Sequence, residues 1–112
     1  MADCIFCKII AGEIPGRKIY EDGEILAFHD VNPQAPVHFL VIPKKHIPSV
    51  MDGADPGLLG KLLFKAQELA VQEGCGEKGG RFVINCKEDG GQTVDHLHVH
   101  ALGGRPLDWP PG

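Results

Sequence analysis

Three histidines stand at alternate positions late in the chain. His96, His98 and His100 are separated by Leu97 and Val99 and followed by Ala101 and Leu102. Successive side chains on a strand point to opposite faces. The pattern therefore predicts a strand over residues 95–102, with the three imidazoles on one face and Leu97, Val99 and Ala101 on the other. On a helix, residues two apart stand about 200° apart and the shared face is lost. Three readings fit such a row. It could be a solvated face rich in histidine. It could be a metal site with His96, His98 and His100 as ligands of a zinc hydrolase, because imidazoles on one face can converge on zinc. It could be a nucleophilic histidine between two helpers. The residue types alone leave all three open. Just upstream, Gly90-Gly91-Gln92-Thr93 reads as a tight turn, or as a run of N–H groups able to hold one anion.

The rest of the chain must position that row. Residues 4–11 read as a short helix, with Ile5, Phe6, Ile9 and Ile10 at helical spacing and Gly12 as a stop. Residues 18–20 and 24–29 read as two strands joined by a turn at Glu21-Asp22-Gly23. Residues 30–36 form a loop with two prolines. Residues 37–42 are nearly all apolar apart from His38 and read as a central strand. Asp55-Pro56 is a helix start, Asp as N-cap and Pro in the first turn. Leu58, Leu59, Leu62, Leu63, Ala66, Leu69 and Ala70 give that helix an apolar stripe, and Gly74 ends it. Residues 81–86 predict a fourth strand, and residues 87–93 a turn into the fifth. Short connections favour antiparallel pairing. The expected class is α+β, one domain over residues 1–112.

Composition narrows the partners. The net charge is −4 and no basic stripe is present, which argues against a nucleic-acid polymer. No apolar run approaches membrane-spanning length. The start of the chain lacks a basic segment followed by an apolar one, so a cytoplasmic location is expected. In that setting the four cysteines are expected as thiols or metal ligands rather than disulfides. Cys4-x-x-Cys7 is a weak signal alone, with no preceding strand to suggest a thioredoxin-type motif. Trp109, the single tryptophan, sits in a Pro/Gly-rich tail and is expected to dock, on a second subunit for example.

The run His96-Leu97-His98-Val99-His100-Ala101-Leu102 resembles the histidine triad (HIT) family motif, in which three histidines alternate with apolar residues. The resemblance spans the chain: Ile5-Phe6-Cys7-Lys8-Ile9-Ile10, Ala27-Phe28-His29-Asp30, residues 33–46, Gly90 to Val94, Leu102 to Pro106 and the ending Trp109-Pro110-Pro111-Gly112 all look like its nucleotide-binding branch. It implies a HIT-like fold: a five-stranded antiparallel sheet with one long and one short helix, paired in a homodimer whose sheet continues to ten strands. It also implies a purine nucleoside phosphoramidase that hydrolyses the P–N bond of adenosine 5'-phosphoramidate-type substrates through a nucleotidyl-histidine intermediate, with no cofactor for catalysis. A dinucleoside polyphosphate hydrolase or nucleotidyl transferase of the same superfamily, and a nucleotide-binding interaction module, are the alternatives.

Carried over by position, His98 matches the nucleophile, and His100 and His38 its helpers. Thr93 stands where this branch commonly has Ser and keeps the hydroxyl. Gly91 and Thr93 match main-chain phosphate donors, and Asn85 a side-chain phosphate contact. Asp30 matches the acceptor of the ribose hydroxyls. Ile5, Phe6, Ile9, Ile14, Phe28, His29, Val31 and Leu40 match an apolar slot for the base of AMP or GMP; read singly, each is a plain core residue. Some bacterial members carry a Cys-x-x-Cys pair with a zinc, and the matching ligands here are Cys4, Cys7, His46 and His96. Two thiolates and two imidazoles make a closed tetrahedral set, structural rather than catalytic.

Overall fold

The computed structural model describes residues 3–112. It contains α1 (Ile5–Ile10), β1 (Lys18–Glu21), β2 (Ile25–His29), β3 (Val37–Pro43), α2 (Pro56–Ala70), β4 (Gly80–Val83), α3 (Lys87–Gly90) and β5 (Val99–Gly103). The strands form one antiparallel sheet in the order β1-β2-β3-β5-β4. The expected α+β architecture is present.

Strand alternation divides the core in two. Ile25, Ala27, Phe39, Val41, Val99 and Ala101 face α2 and meet Leu62, Ala66 and Leu69 there. Leu26, Phe28, Leu40 and Ile42 face the opposite way, against Phe6 and Ile9 of α1. Both faces of β2 and β3 are covered, which explains their nearly continuous apolar sequence. The Asp55 carboxylate accepts the Leu58 N–H at 2.9 Å and Pro56 occupies the first turn, so α2 begins where the sequence places it. Its regular part stops at Ala70. The chain then widens into a π-helical turn, Val71–Cys75, in which Gly74 adopts φ 94°, a conformation glycine tolerates.

Three boundaries differ from the sequence expectation. The strand carrying the histidines begins at Val99, not at residue 95. The ladder cannot reach further, because the Leu97 N–H donates to Ile47 O at 2.7 Å and the Pro43 carbonyl is taken by the His96 side chain. The fourth strand is Gly80–Val83 rather than residues 81–86, leaving Ile84, Asn85 and Cys86 beyond the sheet. The expected turn over residues 87–93 contains the short helix α3, closed by Gly91 at φ 73°. Leu97, Val99 and Ala101 nevertheless all join the α2 side of the core, so the alternation survives the loss of the ladder.

Candidate active site

The three histidines of the row share a side but not a role. His98 is buried, at 4% exposure, with its ring edge-to-face against Phe6 at 5.1 Å between centroids. Its Nδ1 lies 2.6 Å from the main-chain oxygen of His96. A carbonyl can only accept, so Nδ1 carries the hydrogen and Nε2 keeps its lone pair. Burial holds the His98 pKa below its ordinary value, which keeps the ring neutral. A neutral imidazole with a defined free nitrogen is the form a nucleophile or general base requires.

His100 is the neighbour of His98, with ring centroids 4.9 Å apart. On the adjacent strand, Leu40 pairs with His100 and His38 with Leu102. That register brings His38 Nε2 to 3.0 Å from His100 Nδ1. The Asp30 Oδ2 atom stands 3.3 Å from His38 Nε2 and 4.0 Å from His100 Nδ1. Burial, then the facing His98 and His38, lower the His100 pKa to about 4, against the pull of Asp30. Burial likewise lowers His38. Asp30 and His38, which the sequence places about 60 residues before His98 and His100, thus form one group with them.

His96 points elsewhere. Its Nε2 donates to Pro43 O at 2.8 Å, so its Nδ1 lone pair is free. That atom lies 3.4 Å from Cys4 Sγ and 3.7 Å from Cys7 Sγ, while Cys7 Sγ is 3.2 Å from His46 Nδ1. The four ligand atoms lie within 4.8 Å of one another. Zinc bonds of ordinary length at tetrahedral angles would set sulfur and nitrogen about 3.6 Å apart. The donor set, the spacing and the His96 tautomer fit zinc, and the Pro43 carbonyl is the outer partner that metal-bound histidines usually have. Burial, then its neighbour Cys4, raise the Cys7 thiol pKa, a proton a metal would displace. The alternative with His96, His98 and His100 as joint ligands does not fit, because one nitrogen of His96 faces the cysteines and the other donates to the Pro43 carbonyl, leaving none for an ion beside His98 and His100.

The expected base slot is mostly wall. Phe6, Ile9, Phe28 and Leu40 are at most 7% exposed and pack with Leu26 and Ile42, with Ile14 against them. Ile5 at 48% and Val31 at 99% are the open apolar residues, with His29 half-buried at the end of β2. Thr93 is exposed and lines a hollow of about 400 Å³ with Cys4, Ile5 and His46. The Gly91 N–H, expected as a phosphate donor, instead donates to Glu88 O at 3.0 Å within the α3 turn. Asn85 is half-buried under Gly90, where a Cβ would come 3.5 Å from Asn85 Cα. A larger hollow, about 750 Å³, opens away from the histidines beside Val71, Gly74 and Lys78. Trp109, expected to dock, is 81% exposed on this chain.

One supporting residue has no sequence signature. The Gln92 side chain accepts the Lys87 N–H at 2.9 Å and donates to Pro48 O at 2.7 Å and Val94 O at 2.9 Å. It ties the α3 turn to the connection after β3 and to the start of the histidine row.

A family model described as the HIT domain matches residues 11–107. An uncharacterised HIT-like protein of Synechocystis sp. is 57% identical over 98% of this chain and 97% of its own length. A solved structure of a HIT family hydrolase from Legionella pneumophila superposes with a TM-score of 0.95 at 52% identity, covering 98% of this chain and all of the other. A zinc-bound histidine triad family protein from Mycobacterium smegmatis and a histidine triad nucleotide-binding protein from Candida albicans each give a TM-score of 0.84 at 32% identity. Both cover 96% of this chain; the shares of their own chains are 79% and 83%. The chain belongs to the HIT domain family.

Proposed function

We propose that this protein hydrolyses the P–N bond of purine nucleoside phosphoramidates, adenosine 5'-phosphoramidate among them, by way of a nucleotidyl group on His98. The observation that carries the reading is the His98 tautomer, which leaves Nε2 as a lone-pair nitrogen in a neutral ring. That nitrogen forms a bond to phosphorus while the P–N bond of the substrate breaks and the amine leaves with the electron pair and a proton. Water then displaces His98 and releases the nucleoside monophosphate. Splitting one hard displacement into two lowers the barrier of each. As His98 bonds to phosphorus its ring becomes cationic, and the His96 carbonyl at Nδ1 stabilises that charge.

His100 donates to the phosphate oxygens or the departing amine, with His38 behind it. Asp30, 18% exposed at its side chain, accepts the ribose hydroxyls. Thr93 and Asn85 hold the phosphate, and Ile5, His29 and Val31 form the rim over which the base lies. The family hydrolase from Legionella pneumophila and the nucleotide-binding relative from Candida albicans support a nucleotide hydrolase.

We place a structural zinc on Cys4, Cys7, His46 and His96, in line with the zinc-bound Mycobacterium smegmatis relative. Bound there, zinc would cross-link α1 to the connection after β3 without touching substrate. The active form would be a homodimer joined along the open edge of β4, where Phe82 and Ile84 are 40% and 38% exposed and Arg81 donates to the main-chain oxygen of Asp108, the residue before the exposed Trp109. The cytoplasm, which keeps thiols reduced, is the setting we assign.

The test is His98→Asn, assayed for adenosine phosphoramidate turnover and for AMP binding. Loss of turnover with AMP binding retained supports the reading. Turnover retained would overturn it, and binding of AMP without turnover in the unaltered protein would leave an interaction module.

A further inference from the structure

The main-chain N–H of Gln34 donates to His38 Nδ1 at 3.0 Å. A peptide N–H can only donate, so His38 Nδ1 cannot carry a hydrogen in this arrangement. The single hydrogen of neutral His38 then sits on Nε2. It faces His100 Nδ1 at 3.0 Å and Asp30 Oδ2 at 3.3 Å. The opposite polarity would set the Gln34 N–H against a His38 Nδ1–H. His100 Nδ1 must therefore accept, and the hydrogen of His100 is forced to Nε2. Adjacent rings in one row thus hold opposite tautomers: His98 offers a lone pair at Nε2 and His100 offers a hydrogen there.

Gln34 lies in an exposed loop, so something must hold its peptide still. The Arg105 guanidinium donates to Gln34 O at 2.8 Å and also to Pro106 O at 2.9 Å. Beside it, Gly104 has φ 90°, and a Cβ there would come 2.9 Å from Pro36 Cβ. The C-terminal tail is therefore seated directly on the loop before β3. We propose that Arg105 and the Gln34 peptide are a positioning pair that fixes the His38 and His100 tautomers, so that His100 presents an Nε2 hydrogen to substrate. Arg105 touches neither substrate nor the reacting atoms; it acts through the Gln34 peptide.

The same proton inventory answers a competing reading. Asp30, His38 and His100 place one ligand atom each within 4.8 Å of one another, a spacing that could suit a cation. With Gln34 N–H on its Nδ1, His38 keeps its hydrogen on Nε2 and has no lone pair to give there. The contrast with His96 is direct, since its carbonyl partner frees the nitrogen that faces the cysteines.

The proposal rests on the phosphoramidase reading only for its kinetic consequence. The structural part is tested first, on the full chain labelled with ¹⁵N at histidine, without substrate, at neutral pH. Imidazole nitrogen shifts separate protonated from unprotonated positions. The expected spectrum has His38 and His100 unprotonated at Nδ1 and His98 unprotonated at Nε2. A His38 protonated at Nδ1 would overturn the proposal, whatever the enzyme does.

Two variants test the cause. Gln34→Pro removes the N–H and should let His38 sample both tautomers. Arg105→Met keeps the stem and loses the donors, and an exposed residue of this kind carries little of the fold. It should mix the tautomers, lower kcat about tenfold and leave KM within about twofold, since small misplacements of a catalytic group fall on the chemical step. Arg105→Lys should recover part of the loss. If Arg105→Met folds and leaves both the spectrum and kcat untouched, Arg105 is a surface residue and nothing more. If the unaltered protein shows no phosphoramidate turnover, the functional reading fails while the spectrum still decides this one.

Discussion

The Nδ1 atom of His98 lies 2.6 Å from the carbonyl oxygen of His96, two residues back along the same backbone. One residue therefore serves two sites. The His96 side chain belongs to the cysteine cluster, and its main-chain oxygen fixes the ring beside Phe6. Anything that shifts the His96 backbone shifts the free nitrogen of His98.

Metal content should follow from this arrangement. The protein purified with zinc should hold one equivalent per chain, and Cys4→Ser with Cys7→Ser should abolish it. A ligand at 1,000 times its dissociation constant stabilises by about 4 kcal/mol, so removing the metal should lower the thermal midpoint by about 15 °C. Residual turnover of the metal-free protein that stays folded should remain, because the zinc touches no substrate. Two equivalents per chain, measured by atomic absorption, would place a second ion on Asp30, His38 and His100 and contradict the proton inventory there.

The pH profile should be flat where histidine enzymes ordinarily lose activity. His100 has its pKa lowered to about 4 by burial and by the facing His98 and His38, with Asp30 opposing. Its folded value lies below the ordinary 6.5, so between these limits the unfolded chain binds more protons than the native one. Stability should therefore rise with pH from about 4 to 6.5 and level off above. His38, lowered by burial with Asp30 opposing, acts in the same sense. Turnover should hold from pH 8 to below pH 6. A kcat/KM that halves near pH 6.5 would mean that His38, His98 or His100 takes up a proton in the free enzyme at the ordinary histidine value, against the lowering that burial imposes.

Gln92 joins three main-chain groups from one side chain. Only the bond to Val94 O is part-buried, so Gln92→Ala should cost about 1 kcal/mol, the net worth of an ordinary hydrogen bond, and should be visible in urea melts. An unchanged midpoint would show that water replaces all three bonds.

The open β4 edge should be the seat of association. Phe82→Lys puts a charge on the strand that we place at the dimer seam. It should shift the mass measured by light scattering from dimer to monomer while far-ultraviolet dichroism stays the same. A variant that remains dimeric would move the interface elsewhere, with the exposed Leu63 and Phe64 of α2 the next surface to test.

What the sequence made legible was local. The alternation of His96, Leu97, His98, Val99, His100 and Ala101 separated two faces correctly, and Asp55-Pro56 marked the start of α2. The resemblance to the HIT family carried the five-stranded antiparallel sheet and the grouping of His38 with His98 and His100, but not the order of the strands. What stayed hidden depends on main-chain groups far apart in the chain. The fifth strand starts late because Pro43 O and Ile47 O capture His96 and Leu97, an encounter no local pattern records. Gln34 contributes a peptide N–H that every residue but proline possesses, so its type says nothing. The expected slot residues Phe6, Phe28 and Leu40 are apolar whether they touch a base or one another, and here they touch one another.

The covalent step can be observed directly. Adenosine phosphoramidate labelled at phosphorus is mixed with excess enzyme, quenched in alkali within milliseconds, and the labelled peptide is mapped. A nucleotidyl group on His98, formed and lost at rates that match turnover, is the expected result. Full single-turnover hydrolysis with no protein-bound label at any time, or a label on another residue, would contradict the role given to His98.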